Sequence, residues 1–569
     1  MMRHINRLND FFKSIMNGNG DPIMTGSVRL KIVTNIVILC FILVVIRVGD
    51  LTLLQGHYND PTGPQANIKT QEKLMSRADI VDRNGVLLAT TLQSQSLYAD
   101  PTLLDNKPYL AHQLAEILDI ENPLDRLNKQ SRFVWIKRGV TPDQQKQIND
   151  LGTPGLAFKT EPKRFYPHGN LLSHLVGYTS IDGEGLAGIE LKYNDRLDNQ
   201  NNALQLNIDV RVQYALTKAL KNKQDAFSAK AAMGGIVDIR TGEVIAAASI
   251  PDFDPHAANI ANNNQRFNRF ASGVYEMGST FKLFSTASYI EETGHPFSKT
   301  FDAREPLKEG RFTINDFHAE KRILTLPEVF IHSSNIGSAL MGRAIGNDNL
   351  QKFYTDLGLM NQIKTDFPAI GKPLTPKTWR DVNTLTASYG HGIAVTPLHV
   401  LQATAIIANG GIQTGLSFAK ETPNNNKILT RIISPSTAYK MQQLLRLNVL
   451  HGSGAKADVA GYMVGGKTGT SEKVTAQGYS KDKLLSSFIG VFPIDQPRYA
   501  ILAILDEPQG TKDSYGYATG GWTAAPVVGD VVADMVRILG LPASGNDNNM
   551  IAGLDRYLNT KPAISPASF

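Results

Sequence analysis

One segment near the start restricts the fold more than any other. Ile32–Ile46 reads IVTNIVILCFILVVI, and Val48, Leu51, Leu53 and Leu54 prolong it, with Thr34 and Asn35 the only polar breaks before Arg47. About 20 apolar residues, at about 1.5 Å rise each, cross a hydrocarbon core of about 30 Å as a helix. Arg3, Arg7, Lys13, Arg29 and Lys31 precede the run against Asp10 and Asp21. By the positive-inside rule the N-terminus stays in the cytoplasm and everything after Leu54 is exported. The expectation is a cytoplasmic tail over 1–28 and a single transmembrane anchor over 29–54 in the inner (cytoplasmic) membrane, with the rest extracytoplasmic or periplasmic. The rival reading, a cleaved signal peptide, calls for a small-x-small site; RVGDLTLLQG follows instead. Cys40, inside the run, is the only cysteine, which excludes an internal disulfide framework and any multi-cysteine zinc site.

The full 569 residues allow roughly two to four domains of about 150 residues each. Charge is mildly basic, 58 Lys+Arg against 52 Asp+Glu, with no dense basic run interleaved with aromatics, so nucleic acid is not an implied partner. Asn59–Gln71 is polar with Pro and Gly, as a linker or stalk would be. Ile80–Ala89 reads as a hairpin turning at Asn84-Gly85. Leu103–Leu151 has helical spacing broken by Pro123 and Pro142, Arg164–Leu197 is loop-rich, and Val210–Asn222 is a helix candidate. A boundary near Phe227 divides a domain over 55–226 from one over 227–545, and 546–569 reads as a polar, loosely held tail. Gly234–Ser249 is strand, turn, strand; Ser487–Phe492 and Ala500–Leu505 are a second strand pair; Pro526–Leu539 is a helix with proline in its first turn. Strands at both ends with helices between predict an α+β domain whose antiparallel sheet is closed by its two termini.

Three short motifs occur in order: Ser279-Thr280-Phe281-Lys282, Ser333-Ser334-Asn335 and Lys467-Thr468-Gly469-Thr470. Each alone is weak. Ser453 with Lys456 and Ser480 with Lys483 also satisfy S-x-x-K. Together they supply a full set of acyl-transfer parts. Ser279 follows Gly278 at the start of a helix candidate, Phe281–Ile290, where unpaired N–H groups surround its hydroxyl. Lys282, one helical turn on, shares its face. A free serine is a poor nucleophile and needs an adjacent base, and lysine serves only when burial or neighbouring cations depress its pKa. Lys467 offers part of that positive field. Ser333 suits a proton relay, and Asn335 suits holding Lys282 and a substrate amide. Gly465, Gly466 and Gly469 suggest an edge strand that a peptide backbone pairs with, so that Lys467, Thr468, Gly469 and Thr470 bind substrate and its carboxylate. The N–H groups of Ser279 and Thr470 are the candidate oxyanion hole.

The ordered triple is the set shared by serine β-lactamases and penicillin-binding proteins. With the anchor, Arg77–Gly85 (RADIVDRNG), Arg164–Gly169 (RFYPHG), Gly185–Glu190 (GLAGIE), Asn207–Gln213 (NIDVRVQ) and Thr386–Pro397 (TASYGHGIAVTP), the chain resembles class B penicillin-binding proteins over nearly its whole length. Met277 stands where many members carry proline. The resemblance implies an elongated non-catalytic pedestal domain over 55–226 and a transpeptidase domain over 227–545 with helices on both sides of an antiparallel sheet. It also implies peptidoglycan D,D-transpeptidase activity on stem peptides through a serine acyl-enzyme. β-Lactams are then covalent inhibitors, and a membrane glycan polymerase and division proteins are partners. Ser-Ser-Asn at 333–335 and the short chain resemble the division-specific septal branch; elongation-specific relatives usually carry Asp in place of the Asn. The alternatives are an elongation-specific enzyme and a non-catalytic scaffold or sensor, though a scaffold has no need of all three motifs.

Fast hydrolysis of an acyl-enzyme is disfavoured. Class A β-lactamases hold the deacylating water with a glutamate, and between Asn335 and Lys467 the only glutamate is Glu421 in KETPNNN. His168, His174, His332, His391, His399 and His451 have no metal-ligand spacing, and no P-loop or dinucleotide fingerprint is present, so no metal or cofactor is implied. His332 reads as a packing residue.

Overall fold

The computed structural model describes residues 22–49, 77–199, 202–420, 430–475, 478–543 and 547–559. The expected linker around 59–71, most of the cytoplasmic tail, and Glu421 lie outside them. The chain forms two compact units, Met1–Lys73 and Leu74–Phe569. In the first, helix α1 (Pro22–Gly49) carries the apolar run. The side chains described in it, from Val33 to Ile46, include apolar groups 48 % to 70 % exposed, such as Ile42 and Phe41. Among the described residues no helix is long and apolar enough to cross a membrane.

The second unit opens with a small mixed sheet. Strands β1 (Ile80–Val81) and β2 (Leu87–Ala99) form the expected antiparallel hairpin. Asp82 fixes the turn, its Oδ1 accepting the N–H groups of Asn84 at 2.7 Å and Val86 at 2.9 Å. Strands β3 (Val134–Val140) and β4 (Leu156–Phe165) both pair with β2, and β5 (Leu204–Gln205) runs parallel to β1. Helices α2 (Lys107–Leu118) and α3 (Pro142–Asp150) lie on the inner face, where Leu110, Leu114, Leu118 and Ile148 bury against Leu97, Ala99 and Ile136. Here the structure corrects the sequence: 103–151 is not helical throughout. Val134-Trp135-Ile136 is β-branched and aromatic, fits a pleated half-buried surface, and extends the sheet between two helical stretches.

The family-like motifs of this region converge on one buried ion cluster. Glu190, fully buried, accepts Arg77 Nε at 2.5 Å and Arg164 Nε at 2.7 Å on its two oxygens. Arg77 also reaches Asp198 at 2.6 Å and Asn194 at 3.0 Å, and Arg164 Nη1 donates to the Arg77 carbonyl at 3.0 Å. Three distant stretches are thereby tied together without chemistry of their own. Asn207–Gln213 has a similar office. Asn207 donates to the Ala419 carbonyl at 3.2 Å, Asp209 caps helix α4 (Val210–Ala226), and Gln213 exchanges hydrogen bonds of 2.8 and 2.9 Å with the backbone of Ala247.

The remaining strands build the main sheet and two small pairs. Strands β6 (Ala231–Asp238) and β7 (Val244–Ile250) form the expected hairpin. Strands β8 (Thr300–Asp302), β9 (Leu307–Glu309), β10 (Phe312–Ile314) and β11 (Ile323–Thr325) make the small pairs, β8 with β11 and β9 with β10. Strands β12 (Gly465–Thr475), β13 (Gly478–Phe492) and β14 (Tyr499–Asp506) complete a five-stranded sheet in the order β12-β13-β14-β6-β7, antiparallel throughout. Along β14, Ile501, Ala503 and Leu505 join the core with α4 and the C-terminal helix, while Ala500, Leu502 and Ile504 join the helical core on the other face. That period of two is what a sheet covered on both faces requires. The opposite layer holds α5 (Lys282–Thr293), α6 (Leu326–Ile331), α7 (Asn335–Ile345), α8 (Pro397–Ala408) and α9 (Pro435–His451), and α10 (Ala524–Leu539) packs beside α4.

Within the expected tail, the described residues 547–559 are held against α9 and α6. Met550 and Leu554 are buried, Gln443 donates to the Met550 carbonyl at 2.7 Å, and Asn559 N–H donates to Glu328 at 2.8 Å. Ile551, Tyr557 and Leu558 pack against the same core.

Candidate active site

Ser279 lies on a single 3-10 turn, Gly278–Phe281, that runs directly into α5. Gly278 has φ +54°, and a Cβ there would stand 2.8 Å from the Thr470 carbonyl, so the turn approaches β12 as only glycine allows. Lys282 opens α5, 1 % exposed, and its Nζ lies 3.0 Å from Ser279 Oγ. The same nitrogen donates to Ser333 Oγ at 3.0 Å, to Asn335 Oδ1 at 2.7 Å and to the Ser333 carbonyl. None of these partners is a carboxylate. Burial first, then the nearby Lys467 charge, push the Lys282 ammonium well below the ordinary lysine range, with Asp316 opposing. The shift favours the neutral amine that a general base must be.

Ser333 sits between α6 and α7 with φ +56°, a left-handed conformation that costs a non-glycine residue about 1–3 kcal/mol. That backbone presents both its carbonyl and its hydroxyl to Lys282. Ser334 caps α7, accepting Gly337 N–H at 2.9 Å, and donates to Asp316 at 2.8 Å; Asp316 also accepts Ile336 N–H at 2.9 Å. Asn335 Nδ2 donates to the Asn315 carbonyl at 2.9 Å, which fixes its amide with the oxygen toward Lys282.

The third motif occupies β12, which is the edge strand expected. Lys467 is fully buried and donates from Nζ to Ser333 Oγ at 3.0 Å and to its neighbour Thr468's carbonyl at 3.3 Å, so one serine hydroxyl lies between both lysines. Burial pulls the Lys467 ammonium down to about 7. Thr468 Oγ1 and Ser453 Oγ share a hydrogen bond of 2.5 Å, and Thr470 Oγ1 accepts Gly520 N–H at 3.2 Å. A Cβ at Gly469 would stand 2.4 Å from Ser487 Oγ and 2.8 Å from the Met277 carbonyl, so the strand lies tight against the serine turn. The Thr470 carbonyl lies against Gly278, so the strand residue expected to donate to the oxyanion is beside the serine turn.

All eight expected site residues thus gather around one cleft. Sequence reasoning gave no role to Asp316, Glu276 and Tyr479, which carry no local pattern, and none at this site to Ser453 or His391; Ser453 touches Thr468, Asp316 touches Ser334, and Glu276, Tyr479 and His391 brace the strand beside Thr470. His332 packs among Glu320 and Arg322. Among the described residues no group of His, Cys, Asp and Glu is placed to hold a metal.

Residues 232–533 match the penicillin-binding protein transpeptidase domain, and residues 73–225 match the penicillin-binding protein dimerisation domain. The probable peptidoglycan D,D-transpeptidase FtsI of Caulobacter vibrioides is 40 % identical over 82 % of both chains. The peptidoglycan D,D-transpeptidase FtsI of Escherichia coli K12 is 27 % identical over 90 % of this chain and 92 % of its own. The crystal structure of penicillin-binding protein 3 of Mycobacterium tuberculosis, complexed with aztreonam, shares the fold, with a TM-score of 0.65 at 22 % identity over 83 % of this chain and 97 % of that one. A dimerisation domain followed by a transpeptidase domain, the latter carrying the serine and two buried lysines in its cleft, makes this chain a member of the penicillin-binding protein transpeptidases.

Proposed function

We propose that the chain is a peptidoglycan D,D-transpeptidase of the FtsI type, cross-linking stem peptides during cell division and acylated by β-lactams. The observation that carries the chemistry is Lys282. It is a fully enclosed amine 3.0 Å from Ser279 Oγ, with only neutral oxygens as partners. Ser279 attacks the penultimate peptide carbonyl of the donor while Lys282 takes its proton. Donor backbone pairs with the β12 edge, and its terminal carboxylate meets Lys467, Thr468 and Thr470. The Ser279 and Thr470 N–H groups hold the oxyanion. Ser333, bonded to both lysines, passes the proton to the leaving D-alanine amine, assisted by Asn335, which steadies Lys282. An acceptor amine then attacks the ester and restores Ser279 in the reverse order.

The domain reading is a non-catalytic pedestal before Phe227 and the catalytic domain after it, with the matched regions ending at 225 and beginning at 232 in support. The apolar run and its preceding cations support an inner-membrane anchor with the catalytic part periplasmic, beside a membrane glycan polymerase and division proteins. Intact-protein mass after β-lactam exposure tests the chemistry: wild type gains one adduct and Ser279→Ala gains none. Wild type that stays folded and takes no adduct would overturn the reading. Product analysis with paired stem peptides separates cross-linking from carboxypeptidase release.

A further inference from the structure

Strand β13 outruns the main sheet. Its pairing with β14 ends at Leu485 opposite Asp506, so Glu472–Thr475 of β12 and Gly478–Leu484 of β13 continue as a two-stranded ribbon alone. Such a ribbon is marginally stable unless something braces it. On one side Lys473 Nζ donates to Asp506 and Glu507, each at 2.7 Å. The other side is held by Glu276, three residues before Ser279. Its carboxylate accepts Tyr479 O–H at 3.0 and 3.2 Å and Gly392 N–H at 3.0 Å, and its backbone carbonyl accepts Ser471 Oγ at 2.6 Å. One residue therefore collects β12, β13 and the 389–392 loop onto the segment that leads into the serine turn.

The Tyr479 ring stacks on His391 with centroids 5.5 Å apart and planes 18° apart, and His391 lies 5.2 Å from Tyr389. Burial holds the His391 imidazole down to about 4, so it packs here as a neutral ring. Ser471 is adjacent to Thr470, whose N–H must meet the oxyanion, so the Glu276–Ser471 contact is one residue from the atom whose position matters.

We propose that Glu276, Tyr479 and His391 form a latch that fixes the separation between the β12 edge strand and Ser279, and so act on acylation as positioning residues. The proposal rests on the serine acyl-transfer reading above. It predicts that loosening the latch slows the chemical step while leaving ligand capture intact, because misplacing reacting groups by about 1 Å costs up to about a hundredfold in rate.

The test is stopped-flow acylation of the detergent-solubilised full chain by a chromogenic cephalosporin, resolved into saturation rate and half-saturation concentration, with a melting curve for each variant. Tyr479→Phe deletes one hydroxyl and keeps the stack; its saturation rate should fall about tenfold with half-saturation and melting temperature close to wild type. Glu276→Ala should fall further, and Glu276→Gln, which still accepts from Tyr479 and Gly392, should recover most of that loss. Wild-type rates in Tyr479→Phe, or a loss that merely tracks melting temperature across the set, overturn the latch alone. Absence of acylation in wild type overturns the acyl-transfer reading and the latch with it.

Discussion

Replacing Glu190 by alanine removes the one carboxylate that two buried arginines share. Arg77 and Arg164 meet it at 2.5 and 2.7 Å, with side chains 5 % and 3 % exposed. Breaking a buried ion pair from one side costs about 3–5 kcal/mol, because a charge stays behind without its counter-charge. Two charges stay behind here. Arg77 keeps Asp198, but that carboxylate is 43 % exposed and partly screened. Arg164 keeps only neutral oxygens, the Arg77 carbonyl and Thr91 Oγ1, and its Nη2 is buried with no partner among the described residues. The expected loss is therefore at the upper end, about 5 kcal/mol. At about 2–4 °C per kcal/mol for a domain of this size, melting should fall by roughly 10–20 °C. Thermal and urea unfolding of the full chain measure it, with Glu190→Gln expected to lose most of the same amount. A triple change, Arg77→Met, Arg164→Met and Glu190→Leu, should recover much of it, since an apolar replacement leaves no stranded charge. A loss within about 1 kcal/mol for Glu190→Ala, the value of an exposed pair, would refute the argument.

Three further outcomes follow from the cleft. Lys282→Arg places a permanently charged guanidinium where a base is needed; acylation should fall by about 10²–10⁴ with the fold retained, read by β-lactam adduct formation over time. Lys467 is pulled down to about 7, so its charge is complete below that pH and is lost as pH rises through it. The apparent affinity for an anionic β-lactam should weaken across the same interval, and Lys467→Met should abolish that limb of the profile. Gly469→Ala forces a Cβ to 2.4 Å from Ser487 Oγ and 2.8 Å from the Met277 backbone; destabilisation of about 1–3 kcal/mol and a slower acylation rate are expected, checked by urea unfolding and adduct kinetics.

Legibility in the sequence tracked how local each signal was. The hairpin over 80–89, the paired strands over 234–249, helix α4 and the serine turn announce themselves through turn residues and periodicity within a dozen positions. The eight cleft residues were readable because three motifs each keep their spacing inside one turn or strand. Strand β3 was missed because Val134–Val140 sits between two true helices and its three-residue apolar core fits either period. The segment after α10 looked loose because its seating groups, Met550 and Leu554 with Ile551, Tyr557 and Leu558, are scattered among polar neighbours. Arg77, Arg164 and Glu190 were visible as motif members, yet their shared purpose was not. A contact across 113 positions has no local signature, and a charged residue reads as surface until its partner is seen. The same holds for Ser453 against Thr468 and Glu276 against Tyr479.

The two ion clusters follow opposite electrostatic rules. Around Glu190, opposite charges are brought into contact, and burial is tolerated because each charge finds a partner. Around Ser333, two like-charged side chains converge on one neutral hydroxyl, and burial is tolerated because the protons are held loosely. A carboxylate in contact with Lys282 would favour the ammonium over the amine. Asp316 is the acidic residue whose charge opposes the Lys282 shift, and its oxygens are engaged by Ser334 Oγ and Ile336 N–H instead. Asp316 therefore fixes the start of α7, and with it Asn335, while leaving Lys282 with an amide oxygen in place of a counter-ion. Asparagine at 335 meets the amine with an uncharged oxygen at 2.7 Å, so the hydrogen bond that orients Lys282 brings no counter-charge to it.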